Sequence, residues 1–600
     1  DAATGSALST RRWTADAGLA SGWPAQPATS LLSAANDLRY ATALTDGVTT
    51  IVSEFDANQR LLEREVEVAS QAGSSVVQRQ TYAYPEVDGD AQLPPQYAQP
   101  TAVTVSHLDG SGGHRDTSEA FEYDPLGRLI AQVGHDGTRT ENRYDDLVPE
   151  GARLPVGLPE LQRVTTADGL VTETRAELNA ERTAHVATET YTGTVHDAEL
   201  TRTGRQEFEI DPDGFVREER TFPQGGSGTP AVTTFSKSTD LAAGTAITAT
   251  SVAAGTPAET TSTRVIDLLL GLPLEEAGPE GAATSAVYDD AGRLIEQVDA
   301  GGNVTRVAYR TMQQHGENAT IVTGPDGVVT TTTTDVLGRV VRTTDNILDG
   351  EATSGHVRVA ETRVYPTPGV VRVTDAWGAT SSATSDLYGR VVKSVAPNGL
   401  TELTMYDAVA NTVTTALTPT GDLADAETTT TTRLDSRGRA TEASGARADG
   451  VPVPTATTTF DGFGRVTGTS DGSSATSVMH DRFGNPRTTT ATPTTDPARD
   501  PVPAMTTIRE FDAFGAGTGK GLATEDEAVH GEAVAYDALG RVATRTDQAG
   551  VTTEYGYTRD GLVASIVTSY GQATRNEYAP GTRVLISTET TSPIGETVST

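Results

Sequence analysis

The residues best suited to chemistry are aspartates, several of which occur as close pairs. Asp289 and Asp290, like Asp211 and Asp213, offer the oxygen ligands that Ca²⁺ prefers. The sequence contains neither EF-hand spacing nor the spacing of a repeated calcium-binding loop. Because aspartate also recurs at one place in a repeated pattern, we interpret these residues as turn-capping and keep calcium binding as the alternative. We assign no metal ligands.

Other patterns typical of catalytic sites occur in settings that do not suit catalysis. Gly468 to Gly472 matches the G-x-S-x-G nucleophile motif, which needs a strand-to-helix turn, whereas we expect a hairpin loop here. Gly519-Lys520-Gly521 resembles a phosphate-binding loop but lacks its first glycine and its final Ser or Thr. The nine histidines show no zinc-binding spacing, and there is no cysteine. We therefore predict no enzyme, no catalytic residues and no cofactor, with a hydrolase site on an insertion loop as an alternative.

A repeated pattern accounts for many of the aspartates. It reads aromatic-Asp-x-x-Gly-Arg-aliphatic, and in one copy Phe460 takes the aromatic place. The four best copies comprise Tyr123, Asp124, Gly127 and Arg128; Tyr288, Asp289, Gly292 and Arg293; Asp461, Gly464 and Arg465; and Tyr536, Asp537, Gly540 and Arg541. Looser copies keep the Asp-x-x-Gly core at Asp335/Gly338, Asp386/Gly389, Asp435/Gly438, Asp481/Gly484 and Asp512/Gly515. We predict that these residues form structural repeat turns.

The spacing of the pattern is regular. A second glycine follows ten residues after the first in the best copies, and a tyrosine such as Tyr309 closes the unit. The step from Tyr123 to Tyr144, and likewise from Tyr536 to Tyr557, is 21 residues. A fixed period of this length indicates a repeat architecture rather than a domain with one core.

Each part of the repeat predicts a local structure. Aspartate accepts hydrogen bonds from backbone N–H groups further along, and glycine adopts positive φ without steric cost, so Asp-x-x-Gly indicates a turn. The stretches between turns are rich in β-branched residues, as at 330–334 and 428–432, and favour strands. One repeat is then a hairpin that must pair with its neighbours. We predict an all-β fold, an antiparallel sheet with about 21 residues per hairpin repeat that spirals into a hollow shell or barrel.

The repeated arginines and tyrosines also admit a ligand-binding interpretation. The arginines could line a basic ladder for an anionic ligand, although we expect them to pair with the aspartate of their own repeat and with the other acids. The tyrosines and Trp377 are able to stack on sugars, but packing between neighbouring turns is the interpretation that we favour.

Composition excludes several classes of partner. The net charge of −36 repels a nucleic-acid backbone and an anionic membrane surface, so we predict no nucleic-acid binding. No apolar stretch approaches the ~20 residues of a membrane-spanning helix, and Leu268 to Leu270 is far shorter, so we predict no membrane insertion by this segment. The absence of cysteine excludes disulfides.

The repeat is uneven along the chain. We expect residues 1–120, which contain Trp13, Trp23 and few good copies, to form an N-terminal cap or degenerate repeats. Residues 121–600 are the predicted repeat region, with insertions near 224–263 and 488–503 as places for partner-specific contacts. The sequence begins at Asp1 rather than Met, from which we expect a processed or truncated chain.

These motifs resemble the YD repeats of RHS-repeat proteins, a family that includes the B and C components of insecticidal toxin complexes, bacterial polymorphic toxins and teneurins. The resemblance covers roughly residues 121 to 580, with a degenerate copy at Phe55-Asp56 and Arg60-Leu61, where Gln59 stands in place of glycine. It implies a hollow shell that can enclose a toxin domain. Toxin-bearing members usually add a core segment and an aspartyl self-cleavage site; we find neither in this sequence and assign no self-cleavage.

The resemblance implies a non-catalytic, secreted bacterial scaffold that encapsulates or presents a toxin or another polypeptide. Its partner would be a protein cargo or toxin domain, and its location would be secreted or at the cell surface. The alternative is a cell-surface adhesion or carbohydrate-binding module, as on the teneurin side of the family, with tyrosine-rich sheet faces as the binding surface. The cargo, the closure of the shell and the oligomeric state stay open.

Overall fold

The computed structural model describes residues 10–15, 39–45, 49–56, 59–70, 73–85, 95–109, 112–144, 157–180, 182–386, 388–493, 504–523 and 528–599. Within these ranges, helix is limited to one α-helical turn, α1 (Met312–His315), and to 3-10 turns at Pro95–Ala98 and Leu423–Asp425. No helix in this part of the chain is long and apolar enough to cross a membrane. Strands and turns make up the rest, so the predicted all-β class is confirmed.

The strands are short and follow one another along the chain. The first are β1 (Thr10–Ala15), β2 (Arg39–Thr45), β3 (Thr49–Asp56), β4 (Leu61–Ser70), β5 (Gly73–Ala83), β6 (Ala102–Leu108), β7 (His114–Tyr123), β8 (Leu129–Val133), β9 (Arg139–Tyr144), β10 (Pro159–Thr165), β11 (Leu170–Leu178), β12 (His185–Thr194), β13 (Thr201–Ile210), β14 (Val216–Thr221), β15 (Ala231–Asp240) and β16 (Thr245–Val252). Next come β17 (Thr260–Asp267), β18 (Pro273–Ala277), β19 (Ala283–Tyr288), β20 (Leu294–Val298), β21 (Val304–Arg310), β22 (Asn318–Thr323), β23 (Val329–Thr334), β24 (Val340–Asp345), β25 (Ile347–Leu348), β26 (Glu351–Ala352), β27 (Arg358–Val364), β28 (Val370–Asp375), β29 (Thr380–Ser385), β30 (Val391–Val395), β31 (Thr401–Asp407) and β32 (Thr412–Thr418). The last are β33 (Thr428–Leu434), β34 (Ala440–Arg447), β35 (Pro452–Phe460), β36 (Val466–Ser470), β37 (Ser474–His480), β38 (Pro486–Pro493), β39 (Met505–Phe511), β40 (Gly517–Ala523), β41 (Ala528–Tyr536), β42 (Val542–Thr546), β43 (Thr552–Tyr557), β44 (Val563–Thr568), β45 (Ala573–Tyr578), β46 (Leu585–Thr591) and β47 (Thr597–Ser599).

Neighbouring strands pair antiparallel, as the repeat predicted. The ladder runs without a break through β7, β8, β9, β10 and β11, for example, and through β41, β42, β43, β44 and β45. One excursion interrupts this order, because β24 pairs with β27 while β25 and β26 form a separate small hairpin. The threonine runs predicted as strands lie in β23 and β33.

A register shift marks the repeated turn. Tyr123 pairs with Leu129 across the five residues of the turn, and the register shifts between Glu122 and Tyr123. The same shift precedes Tyr288 and Tyr536 in their hairpins. Such a bulge strengthens local twist, and glycine in the left-handed region permits it at little cost. The turn sequence therefore determines the register of each hairpin.

The sheet has little conventional core. The buried hydrophobic residues of the described chain are Val66, Tyr97, Ala131, Val171, Ala187, Ala246, Ala253, Ala282, Ala319 and Ala416, most of them alanines. The strands whose backbones lie closest together are neighbours in the ladder, and few large apolar side chains are buried among them. Strand pairing and the turns must therefore supply much of the stability that a large hydrophobic core would otherwise give.

Internal contacts divide the chain into two compact units. Unit 1 comprises Asp1–Ala184, Thr190–Thr201 and Glu402–Ser473, and unit 2 comprises His185–Glu189, Arg202–Thr401 and Ser474–Thr600. Each unit thus brings together segments that are far apart in sequence. The predicted boundary near residue 120 falls within β7, and the proposed N-terminal cap stays a prediction; Trp23 lies outside the described residues.

The two predicted insertions can be compared with the strands. Residues 224–263 include β15 and β16, which pair with each other over eight residues and continue the ladder to β17. They form long hairpins that continue the ladder. The stretch 488–503 begins in β38, and its residues 494–503 lie outside the described part of the chain.

The degenerate copy of the repeat yields a stability prediction. Gln59 has a φ of 64°, a left-handed conformation that costs a side-chain-bearing residue about 1 kcal/mol or more. Its N–H still closes the turn by donating to the Asp56 carbonyl oxygen, at 3.1 Å. We expect Gln59→Gly to stabilise the β3–β4 hairpin by about 1 kcal/mol, seen as several-fold slower amide hydrogen exchange in both strands. Gln59→Ala keeps the strain and is the control; equal exchange in the two variants would contradict this account.

Candidate functional site

The predicted repeat residues lie together at turns. In each of the four best copies the glycine N–H donates to the aspartate carbonyl oxygen, at 2.9 to 3.0 Å. The glycine φ values are 81°, 76°, 87° and 75° for Gly127, Gly292, Gly464 and Gly540. Asp124 Oδ1 accepts from the backbone N–H groups of Leu126 and Arg128, both at 2.9 Å. The aspartate side chain thus completes the hydrogen bonding of the turn's backbone.

The arginine of each turn binds the other carboxylate oxygen. Arg128 Nε donates to Asp124 Oδ2 at 2.6 Å, and Arg541 Nε to Asp537 Oδ2 at 2.8 Å. Equivalent pairs are Arg60–Asp56, Arg293–Asp289, Arg339–Asp335, Arg390–Asp386, Arg439–Asp435 and Arg465–Asp461. Where asparagine replaces arginine, its amide takes the same role, as Asn485 Nδ2 does with Asp481 Oδ2.

The guanidinium also covers an aromatic ring at the end of the second strand after the turn. Arg128 stacks over Tyr144 at 4.6 Å, Arg293 over Tyr309 at 4.3 Å and Arg541 over Tyr557 at 4.5 Å. Other copies place Arg339 over Tyr365 and Arg439 over Phe460. A guanidinium held in plane by a carboxylate suits such stacking because its charge is weakly hydrated and delocalised.

The tyrosine hydroxyl completes the contact. Tyr144 Oη donates to the carbonyl oxygen of Leu129, the residue after the repeat arginine, at 3.0 Å. Tyr309 donates to Leu294 and Tyr557 to Val542 in the same way. We call the aspartate, its arginine and this tyrosine the Asp-Arg-Tyr clamp. The clamp joins the turn to the next hairpin. The arginine covers one face of the tyrosine ring, and the tyrosine hydroxyl is used by its hydrogen bond to the backbone.

The carboxylates of Asp124 and Asp289 are held in their charged form. Burial alone would raise the pKa of Asp124, but hydrogen bonds from the backbone and guanidinium of Arg128 outweigh it and hold that pKa below its ordinary value. For Asp289 the side-chain hydrogen bond from Arg293 is the largest influence, and its pKa is also lowered. Burial raises the pKa of Tyr144, although the Arg128 charge opposes the change. These groups stay charged aspartate and neutral tyrosine near neutral pH.

The alternative chemistries find little support in the described residues. No cluster of three or more His, Asp or Glu side chains suited to a metal ion occurs in the ranges that the structure describes. The Asp289 oxygens accept from Ala291, Arg293 N–H and the guanidinium, which leaves them poorly placed for a cation. Ser470 of the G-x-S-x-G match ends strand β36, and Gly517–Ala523 is a strand rather than a helix.

The charged side chains on one face of unit 1 are paired with each other. Arg139 contacts both Glu122 and Glu141, at 3.4 and 3.0 Å. Glu173, which is buried, accepts from Arg163 and Arg175. These side chains alternate along neighbouring strands, so the face is neutralised pair by pair and presents no basic ladder. A polar cavity of about 470 Å³ beside them is lined in part by Arg143, Glu160 and Glu173.

Turns from distant parts of unit 1 meet side by side. Arg437 Nε donates to Asp136 Oδ2 at 2.5 Å, and its Nη2 to Thr138 Oγ1 at 2.9 Å. The neighbouring His135 Nε2 lies 2.6 Å from the Ser436 carbonyl oxygen. In the next pair of turns, the Gly462 N–H donates to Asp168 Oδ2 at 2.9 Å. The two partners are separated by 301 and 294 residues respectively.

Unit 2 contains an equivalent set of turn-to-turn contacts. The Glu280 N–H donates to Asp560 Oδ1, and the Arg559 N–H donates to Glu280 Oε1, both at 3.0 Å. Each acid therefore caps the other's turn. Gln224 exchanges amide hydrogen bonds with Asn485, and its N–H donates to the Ala513 carbonyl oxygen at 2.5 Å.

Solved structures share this fold over most of the chain. A crystal structure of TcdB2-TccC3-Cdc42 aligns with 96% of this chain and 40% of its own, with a TM-score of 0.53 and 11% identity. Similar values hold for TcdB2-TccC3-TEV, with a TM-score of 0.47, 12% identity and coverage of 92% and 39%. The Tc holotoxin pore of Photorhabdus luminescens gives 0.45, 11% identity and coverage of 97% and 40%. The chain has the fold of the TcdB2-TccC3 structures.

The predicted resemblance to RHS/YD-repeat proteins is thereby confirmed at the level of the fold. This chain spans about two fifths of the length of the chains that it matches. No family model and no curated protein matches the sequence.

Two sets of residues were not foreseen from the sequence. One is the arginine–tyrosine stacking, for which a signal existed: Arg128 and Tyr144, like Arg293 and Tyr309, are separated by 16 residues. The other is the set of contacts between distant turns. Asp136 and Arg437 belong to different repeats, and no local pattern in the sequence links them.

The clamp geometry predicts that arginine cannot be replaced by lysine. In Arg541→Lys, the lysine would lack the second guanidinium nitrogen that contacts Asp537 Oδ2. It would also lose the hydrogen bond to the Thr558 carbonyl oxygen and the stacking on Tyr557. We expect a loss of about 1–2 kcal/mol in the opening free energy of β41 to β44, measured by hydrogen exchange. Arg545→Lys, at a more exposed ion pair with Glu532, is the matched control and should change it by less than about 0.5 kcal/mol. Equal effects would exclude a special role for the clamp.

The contact between Asp136 and Arg437 predicts a pH dependence. Burial alone would raise the pKa of Asp136, but hydrogen bonds from Thr138 and Arg437 lower it from 3.8 to about 2. The ion pair therefore contributes fully above pH 3.8, and this contribution is lost as the pH falls through the folded-state pKa of about 2.

We expect Asp136→Asn to destabilise unit 1 by about 2 kcal/mol at pH 6, with the difference from the unsubstituted chain closing between pH 4 and pH 2. Calorimetric unfolding at a series of pH values measures it. Glu177→Gln, at an exposed carboxylate of the same unit, is the control. Its stability should not approach that of the unsubstituted chain in this way as the pH falls from 4 to 2. A constant difference across the whole range would show that the ion pair is not responsible.

Proposed function

We propose that the chain is a non-catalytic scaffold of the RHS/YD-repeat type that encapsulates or presents another polypeptide. The observation that carries this proposal is how little large apolar surface the described strands bury, since most of their buried hydrophobic residues are alanines. A sheet with so small a core leaves faces available for contact with another polypeptide. A wall around a cargo makes use of such faces, whereas an enzyme needs a site in which catalytic groups converge.

The chemistry of the sheet suits a lining that holds a chain loosely. Arginine and glutamate neutralise each other along the strands of unit 1, and cross-strand threonine hydroxyls pair elsewhere, as Thr414 with Thr431 and Thr574 with Thr590. Polar, internally paired surfaces offer few unsatisfied groups and little apolar area for tight binding. An unfolded or partly folded polypeptide would therefore be excluded from solvent without being trapped.

The structural neighbours are named as complexes of TcdB2 with TccC3 and as a toxin pore. We infer by analogy that this chain forms part of a toxin-complex or related delivery system, is secreted by a bacterium, and has a protein cargo or toxin domain as partner. The hollow shell predicted from the repeat belongs to the same proposal.

The carbohydrate-binding alternative gains no specific support from the aromatic residues. Tyr144, Tyr309 and Tyr557 use one ring face for an arginine and the hydroxyl for a carbonyl oxygen. Trp377 is highly exposed at a turn, but one ring makes a poor platform for an extended sugar chain.

Protection of an attached polypeptide tests the proposal. A trypsin-sensitive, destabilised reporter fused to the C-terminus of the 600-residue chain should be cleaved at least ten-fold more slowly than the free reporter, while single-particle images show an enclosed volume around it. Arg437→Glu, which places a carboxylate against Asp136, should open the contact and restore cleavage. Arg433→Glu, at an exposed arginine on the neighbouring strand, is the matched control. A reporter cleaved at the free rate, outside an open sheet, would refute encapsulation.

A further inference from the structure

Two early turns and two later turns of unit 1 meet along a line that we call the seam. These turns are 134–138, 166–170, 435–439 and 461–465. Arg437 joins one pair of turns by donating to Asp136, and the Gly462 N–H joins the other pair by donating to Asp168. Both later turns are Asp-x-x-Gly copies of the repeat, and each departs from the other copies at the residue that makes the seam contact.

One departure is Arg437, the residue before the glycine of its turn. The other eight copies identified from the sequence have no charged residue at that position, where they carry Leu126, Ala291, Leu337, Tyr388, Phe463, Phe483, Phe514 and Leu539. Its own turn does not need this arginine, because Arg439 Nε already donates to Asp435 Oδ2 at 2.7 Å. The charge of Arg437 is therefore surplus to the repeat.

The Arg437 side chain ties three turns together. Its Nε donates to Asp136 Oδ2 at 2.5 Å and its Nη2 to Thr138 Oγ1 at 2.9 Å, both in one early turn. Its Nη1 donates to the Gly462 carbonyl oxygen at 2.6 Å, in the neighbouring later turn. A guanidinium suits this place because its N–H donors point in several fixed directions from one plane.

The other departure is Gly462, the residue after the aspartate of its turn. The other copies carry a side chain there, and the φ of Gly462 lies outside the left-handed region, so the turn itself does not require glycine. A Cβ atom at this position would overlap the Asp168 carboxylate and lie 2.5 Å from Thr166 Oγ1. Thr166 is buried and donates to Asp168 Oδ1, which holds that carboxylate in place. Glycine at 462 therefore serves the seam.

The seam contacts can break without breaking the hairpins that carry them. They are hydrogen bonds and an ion pair at the tips of turns, and the side chains of Arg437 and Asp136 are 28% and 15% exposed, so water reaches them. Each turn keeps its own hairpin, as β35 pairs with β36 on the two sides of turn 461–465. Parting the turns therefore costs a few polar contacts, whereas opening the ladder costs its strand pairing as well.

We propose that the seam is a latch, closed by Arg437, that opens while the strands of unit 1 stay paired. Arg437 and Gly462 are its positioning residues: glycine allows the later turn to approach Asp168, and the arginine ties the approaching turns together. In a scaffold that encloses a polypeptide, such a latch parts the wall without unfolding it. That use rests on the proposed function, whereas the latch itself does not.

Amide-resolved hydrogen exchange of the whole chain tests the latch, because two neighbouring amides report different events. The Gly462 N–H is bonded across the seam, to Asp168 Oδ2, whereas the Gly464 N–H is bonded within its own turn, to the Asp461 carbonyl oxygen. We expect Gly462 to be about ten-fold less protected than Gly464 in the unsubstituted chain. Arg437→Gln should speed exchange at Gly462 by about ten-fold more and leave Gly464 within about two-fold.

A second variant tests the latch without removing a charge. Gly462→Ala blocks the approach to Asp168 and keeps Arg437, so the amide at position 462 should exchange about ten-fold faster, corrected for its intrinsic rate, with Gly464 unchanged. Ser436→Ala, at the same position of the other later turn, is its matched control. Arg433→Gln, at an exposed arginine of β33, is the control for Arg437→Gln. Neither control should alter exchange at Gly462.

Three results would overturn the proposal. Equal protection of Gly462 and Gly464 in the unsubstituted chain would mean that the seam opens only when the hairpin does. A variant that speeds exchange at both amides alike would show that the substituted residue supports the turn rather than the seam. Exchange at position 462 that neither variant changes would show that Arg437 and Gly462 do not hold the seam closed. Circular dichroism, with exchange in β35 and β36, checks that each variant folds.

Discussion

The structure depends on one contact, the Asp-Arg-Tyr clamp. A polypeptide hairpin is at best marginally stable alone, and the described hairpins bury few large apolar side chains. The clamp supplies part of what a core would otherwise provide: aspartate fixes the turn, arginine fixes the aspartate, and the tyrosine of the second strand after the turn lies under the arginine. Because Tyr144 also bonds the carbonyl oxygen of Leu129, each turn is tied to the next hairpin.

This arrangement explains how the sheet holds together although it buries few large apolar side chains. Burial of leucine or valine side chains stabilises an ordinary domain by about 1.5–3 kcal/mol each, but the described chain buries mostly alanines. Cross-strand threonine pairs and charge pairs contribute less each, about 0.2–1 kcal/mol, yet they recur along the ladder. A repeat protein adds such terms between neighbours, so many modest contacts replace one large core.

The sequence was sufficient to predict the local structure, because local chemistry determines it. Asp-x-x-Gly specifies a turn through hydrogen bonds within five residues, and the period of 21 follows from two such turns and two short strands. The copy at Asp56 was also found from sequence, although Gln59 must adopt a conformation that glycine favours. The contacts between distant turns escaped prediction, since Arg437 and Asp136 share no periodic relation and meet only through the path of the whole sheet.

Those distant contacts have a cost that shapes how the units form. Joining turns about 300 residues apart, as at Asp136 and Arg437, would cost about 5 kcal/mol of loop-closure entropy from the length-dependent term alone if the chain between them were still unfolded. One ion pair or hydrogen bond contributes roughly 1–2 kcal/mol at best. A single turn-to-turn contact therefore cannot hold two segments together before the strands between them have paired. Several must form at once, and pairs such as Asp136 with Arg437 and Asp168 with Gly462 are stable only as members of one cooperative set of contacts.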